Sequence, residues 1–371
     1  MQAHILKKSI ALGLVICCTL NFTPHIQGTP SPSGMTSFTK ETYHVNTIDG
    51  SSITLTHYVG NKRPSLMLVH GMCCNHLFLD WDENHSLARF LAAQDWDVWM
   101  LDLRTHDGDG DFWFGNIRGL NSSREYISRF WDLDHTYLQK DVVTAIQFIK
   151  EKSDYDQIVF MGHSMGGYLA YMYAELMNQD DLAGIVTLGS SAKANAFINT
   201  WSMDFRYGFR LGKYAFVHPI FGLPFFHIPK SYIDQTLDLD QPGYYFENTT
   251  SKAVRDATSY RRDDEPAGVW VDMMQGRDPR YYDGHWVDPE TLYDYTAHLS
   301  AITVPLLTIA GDQDASDPKD DIFYTYQQAS STLKTFVNIS SYGHMDLIMG
   351  DDANIRVFPH ITQWLDTLPH T

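Results

Sequence analysis

Short apolar runs and helical spacings alternate along most of this chain. Ser65–Val69, Asp97–Leu101, Gln157–Met161 and Gly184–Leu188 are compact, largely apolar runs bounded by turn residues. Runs of this kind suit strands covered on both faces. Ser52–Tyr58 alternates moderately, and from about residue 42 the chain reads strand, turn, strand. Between the runs, apolar positions recur at helical spacing. Leu87, Phe90 and Leu91 predict a helix over 86–94, and Val142, Val143, Ile146 and Ile149 predict one over 134–152. A further helix is expected over 164–177. Strand–helix alternation implies an α/β class, with a mostly parallel sheet and helices on both faces.

The alternation stops after Ser190 and resumes with Val304–Ala310, Ile322–Ala329, Leu333–Ile339 and a final helix over 352–365. The chain therefore divides into a core of 42–190 and 301–371, and an inserted cap of 191–300. That insertion is rich in aromatic residues and proline, as in Phe216–Lys230. Residues 29–41, with many Ser, Thr, Pro and Gly, read as a flexible leader. Residues 1–28 have the layout of an export signal: Lys7 and Lys8, an uncharged run from Ser9 to Leu20, and Gly28 as a cleavage position. The run is short for a membrane span, which leaves an uncleaved anchor as the alternative. A secreted or periplasmic location is expected. The formal charge of -18 argues against nucleic acid and anionic membrane surfaces, which need a basic footprint. Outside the signal only Cys73 and Cys74 remain, and adjacent cysteines seldom meet the geometry of a disulfide.

The chemistry concentrates where a buried run meets a helix. Gly162-His163-Ser164-Met165-Gly166 lies between the 157–161 strand and the 164–177 helix. A nucleophilic serine on a sharp strand-to-helix turn needs small neighbours two positions away on either side. A random chain of this length shows the bare Gly-x-Ser-x-Gly pattern on the order of one time in ten, so the flanking strand and helix carry the reading. The helix N-terminus also directs backbone N–H groups toward a developing oxyanion.

Upstream, a strand ends in His70-Gly71-Met72, where a loop can supply the second oxyanion donor. The two donors are then the backbone N–H groups of Met72 and Met165. His70 itself reads as a residue that holds the loop. Downstream, Gly311-Asp312-Gln313-Asp314 follows the 304–310 strand, and His344 stands alone between the last strand and the last helix. The order Ser, acid, His makes Ser164 the nucleophile, His344 the base and Asp314 the orienting acid. Asp312 is the rival acid. Asp317 begins an Asp-Pro helix start and is a weaker one.

At these residues the sequence resembles the α/β-hydrolase superfamily, and scattered blocks over about 60–365 are similar to the acid lipase family of gastric and lysosomal lipases. His70-Gly71-Met72 is similar to that family's strand-end His-Gly-Leu. Phe112–Gly119 resembles its Val-Trp-Leu-Gly-Asn-x-Arg-Gly segment. Gly311–Asp314 is similar to its Gly-Gly-Asn-Asp, whose last residue is the triad acid, and Tyr342–Ile348 to its Tyr-x-His-Leu-Asp-Phe-Ile, whose histidine is the base. The turn departs from the family: Met165 stands where those lipases carry Gln. The 191–300 insertion has no matched counterpart.

The resemblance implies an α/β-hydrolase fold, and the residues together imply a serine hydrolase of carboxylic esters, lipids among them, with no metal or organic cofactor. The expected partner is a small-molecule or lipid ester, with transient contact between the insertion and a lipid surface. A peptidase or acyltransferase of the same fold is the second reading, and a catalytically inactive binding module the third. Asp107–Asp111 hints at a calcium loop but lacks the spacing of one, and reads as an acidic surface turn. Cys73 and Cys74 read as packed thiols.

Overall fold

The computed structural model describes residues 38–72, 74–104, 106, 132–193 and 282–369, with short pieces at 227–228, 248–249, 265–266, 268–269 and 272–273. The export signal, most of the leader, Cys73, Asp107–Asp111, Phe112–Gly119 and most of the 191–300 insertion lie outside the described residues.

The apolar runs form one eight-stranded sheet. Its strands are β1 (Lys40–Asn46), β2 (Ser52–Tyr58), β3 (Lys62–Val69), β4 (Trp96–Asp102), β5 (Ile158–His163), β6 (Leu182–Leu188), β9 (Leu306–Gly311) and β10 (Lys334–Ile339). Two two-residue strands in the insertion, β7 (His227–Ile228) and β8 (Glu265–Pro266), pair with each other. The sheet order is β1-β2-β4-β3-β5-β6-β9-β10. β1 and β2 run antiparallel to their neighbours, and every other adjacent pair is parallel. Pairing begins at Lys40, inside the stretch expected as leader, and the Lys40 ammonium lies 5.3 Å from the Tyr58 ring centre on β2.

Strand geometry divides each run between two cores. On β3, Leu66 and Leu68 face one side, while Met67 and Val69 face the other. The first side packs against α1 (Leu87–Ala92) and the C-terminal α4 (Phe358–Leu365), through Leu91, Ile361 and Trp364. The second packs against α2 (Val143–Ser153) and α3 (Met165–Leu176), through Ile146, Tyr168 and Leu169. Helix α3 is apolar almost all round, so it must be covered almost all round. Trp286, Tyr295 and Leu299, from the end of the expected insertion, share its core. Each such large apolar side chain contributes roughly 1.5–3 kcal/mol by burial. Among the described residues no helix is long and apolar enough to cross a membrane.

Two expected helices differ in detail. The helix predicted over 134–152 is α-helical only from Val143, and Leu133–Val142 is wound with π spacing. There the buried Asp141 accepts from Arg104 Nε at 2.8 Å and Nη2 at 2.6 Å, tying this stretch to the end of β4. The final helix is broken at Val357, because Pro359 sits in the first turn of α4 and starts a new helix rather than continuing one.

Glu175, in the last turn of α3, carries a pH dependence. Burial pushes its carboxyl up to about 9, the nearby Tyr293 hydroxyl opposing only in part. The unfolded chain gives up this proton near 4.5, whereas the folded chain keeps it until about 9. Stability is therefore lost as pH rises through that window. Glu175→Gln is expected to raise unfolding stability at pH 8 by on the order of 3 kcal/mol and to leave it unchanged near pH 4, as read by urea denaturation.

Candidate active site

The C-terminal ends of the parallel strands bring the predicted residues to one edge of the sheet. Ser164 follows β5 and precedes α3, with φ 53° and ψ −121°, a backbone state that side chains rarely adopt. Three contacts hold it there. Its N–H donates to the Leu188 carbonyl at 3.0 Å, its carbonyl accepts from the Gly167 N–H at 2.9 Å, and the Ser190 hydroxyl donates to the same carbonyl at 2.9 Å. A Cβ on Gly162 would stand 2.1 Å from the Gly166 carbonyl carbon, so the turn cannot close around a larger residue there. Ser164 itself is half-buried.

Asp314 and His344 meet. His344 Nδ1 lies 2.8 Å from Asp314 Oδ2, and both residues are buried. Asp314 Oδ1 accepts the N–H groups of Ser316 and Asp317, each at 2.8 Å. An acceptor at Nδ1 fixes the proton on that nitrogen and leaves Nε2 with its lone pair, the state a general base needs. Asp312 is occupied elsewhere: its Oδ1 accepts the Ser341 N–H at 2.6 Å. Asp317 is also occupied, accepting from Ser191 Oγ at 2.9 Å and from the Tyr168 hydroxyl.

The loop after β3 passes directly beside the serine. A Cβ on Gly71 would lie 3.2 Å from the Ser164 Cβ, and Met72 is the next residue. Met165 opens α3, where a helix leaves its first N–H groups without intrahelical carbonyls. His70 is buried, its Nε2 accepts from the Leu103 N–H at 3.4 Å, and its Nδ1 stands 2.8 Å from the Gly71 carbonyl. It holds the loop, as its position suggested. Cys74 is a buried thiol packed in the core on the α1 side.

Sequence reasoning missed three supports. Gly189, at φ 57°, passes under the acid and base: a Cβ there would stand 3.0 Å from His344 Nδ1 and 3.1 Å from Asp314 Oδ2. The signal was present in Gly189-Ser190-Ser191, small residues ending a buried strand. Asp346 is fully buried, accepts the Gly343 N–H at 2.8 Å and receives the Thr249 hydroxyl at 2.5 Å. His163 is the third: its Nε2 stands 3.0 Å from the His344 carbonyl, and burial, with the His344 charge adding, pushes it down to about 3.

Comparison with known proteins follows the same geometry. A family model described as alpha/beta hydrolase fold matches residues 64–351. Human lysosomal acid lipase/cholesteryl ester hydrolase is 28% identical over 190 residues, 43% of this chain and 45% of that protein, so the match spans less than half of that relative. Rat gastric triacylglycerol lipase is 25% identical over 345 residues, covering 80% of this chain and 79% of that protein. Among solved structures, a thermophilic esterase from Thermogutta terrifontis superposes with a TM-score of 0.58 at 18% identity, over 89% of this chain and 99% of that one.

Proposed function

Because the chain belongs to the alpha/beta hydrolase fold family, we propose that it is an exported serine hydrolase that cleaves carboxylic esters, lipid esters among them. One observation carries the reading: an Asp314–His344 pair at 2.8 Å whose His344 carbonyl meets His163, the residue before a strained, half-buried Ser164.

His344 Nε2 takes the Ser164 proton as Oγ attacks the ester carbonyl. Asp314 keeps the imidazole oriented and stabilises the cation that forms. The carbonyl oxygen gains charge at the Met72 and Met165 N–H groups, a stabilisation worth about 3–4 kcal/mol for one well-placed donor. His344 returns the proton to the departing alkoxide, leaving an acyl group on Ser164. Water then repeats the sequence and releases the acid.

The lipid preference rests on two supports. Two relatives carry the names acid lipase/cholesteryl ester hydrolase and triacylglycerol lipase. The insertion is rich in aromatic residues and proline, a composition suited to lining an acyl cleft and touching a lipid surface. Export rests on the N-terminal signal pattern.

A panel of p-nitrophenyl esters with graded acyl chains tests the substrate class. Medium and long chains are expected to be hydrolysed at least as well as acetate in kcat/KM. Activity confined to acetate and propionate removes the lipid reading and leaves a short-chain esterase.

A further inference from the structure

We propose that His163 is a positioning residue that pins the His344 loop against the Gly71–Met72 loop, so that the base and the oxyanion donors keep their separation through turnover. The inference rests on the serine-hydrolase reading and adds to it a residue outside the Ser–His–Asp set.

Position gives His163 unusual reach. It is the last residue of β5, next to Ser164, and its side chain is buried. Its Nε2–H donates to the backbone carbonyl of His344 at 3.0 Å, and the two rings lie 4.7 Å apart, centre to centre. That donor assignment leaves Nδ1 as the lone-pair nitrogen. Nδ1 is buried without a partner among the described residues, 3.2 Å from where a Cβ on Gly71 would stand. The Phe78 ring also packs near it, with ring centres 5.0 Å apart. One imidazole therefore bridges the base loop and the loop beside the serine.

Charge explains why a histidine suits this place. During attack His344 becomes an imidazolium, and a second cation 4.7 Å away would oppose it. Burial keeps His163 neutral far into the acid range. It holds the loop by an N–H without adding charge. A Lys or Arg could donate the same bond but would destabilise the cation that the reaction must form. An aliphatic residue would leave the His344 carbonyl without this donor.

The test compares His163→Gln with His163→Asn, and adds His163→Leu. The Gln amide nitrogen can stand where Nε2 stands, whereas the shorter Asn amide cannot reach the His344 carbonyl. Both amides are polar, so the contrast isolates the bond from general packing. Rates are measured on a p-nitrophenyl ester and normalised to active sites counted with a fluorophosphonate. Asn and Leu are expected to lose kcat on the order of 30-fold with KM within about twofold, and Gln to recover to within about fivefold of wild type. Equal kcat for Gln and Asn overturns the proposal, as does a loss carried by KM alone. If Leu does not fold, the Gln–Asn contrast decides. Ser164→Ala, run alongside, separates the two readings: retained activity there removes the serine mechanism itself, whereas its loss with equal Gln and Asn rates removes only the role of His163.

Discussion

Ser164→Ala is expected to lower kcat/KM for ester hydrolysis by roughly 10⁴- to 10⁶-fold, or about 5–8 kcal/mol of transition-state stabilisation. The size follows from what remains. Without the hydroxyl no acyl-enzyme forms, and His344 can only activate a water that nothing orients. In the proposed mechanism the Met72 and Met165 N–H groups remain, so a residual rate above solution is expected. The fold should also survive. Alanine keeps the same Cβ, and the bonds that hold the turn run from the Ser164 N–H to Leu188 and from Gly167 and Ser190 to the Ser164 carbonyl. Circular dichroism and denaturation midpoints matching wild type, with activity gone, are the expected pair of results. Undiminished activity ends the acyl-enzyme mechanism.

Asp314→Asn is expected to cost about 10⁴-fold in kcat near neutral pH, while Asp312→Asn costs less than about tenfold. The asymmetry comes from where each carboxylate is held. The N–H groups of Ser316 and Asp317 both point at Asp314 Oδ1, so an amide would place its oxygen there and turn its NH2 toward His344. His344 Nδ1 would then have to accept, moving the ring proton to Nε2, where a base needs a lone pair. Asp312 faces the Ser341 N–H instead. Losing its charge weakens a loop contact worth about 1–2 kcal/mol and leaves the imidazole tautomer alone. The opposite ranking would reassign the acid.

Much of this arrangement was legible in the residues. The runs at 65–69, 97–101 and 184–188, and all but the first residue of 157–161, sit inside four parallel strands, because strands covered on both faces admit few polar positions. The Gly162–Gly166 turn was readable because its crowding leaves a trace in residue size. The choice of Asp314 over its rival Asp312 leaned on the resemblance, because two carboxylates two positions apart differ only in where the loop turns them. The π-wound Leu133–Val142 stretch was hidden because its apolar spacing passes for an α-helix, and the Arg104–Asp141 bond at 2.8 Å joins residues 37 apart in sequence. Gly189 escaped because its meaning lies in the His344 and Asp314 side chains above it, which arrive from other strands.

Chain order around the insertion has a consequence for biosynthesis. Ser164 and the loop beside it are made before Asp314 and His344, which follow β9 and β10; β9 docks on β6, and β10 on β9, only after the long insertion has been made. Ile185 pairs with Leu306 across that gap. Such distant pairing is slow to form. Under the proposed mechanism the nascent chain carries an unpowered serine until Asp314 and His344 have both been made. Ester cleavage would then wait for segments made well after the serine itself.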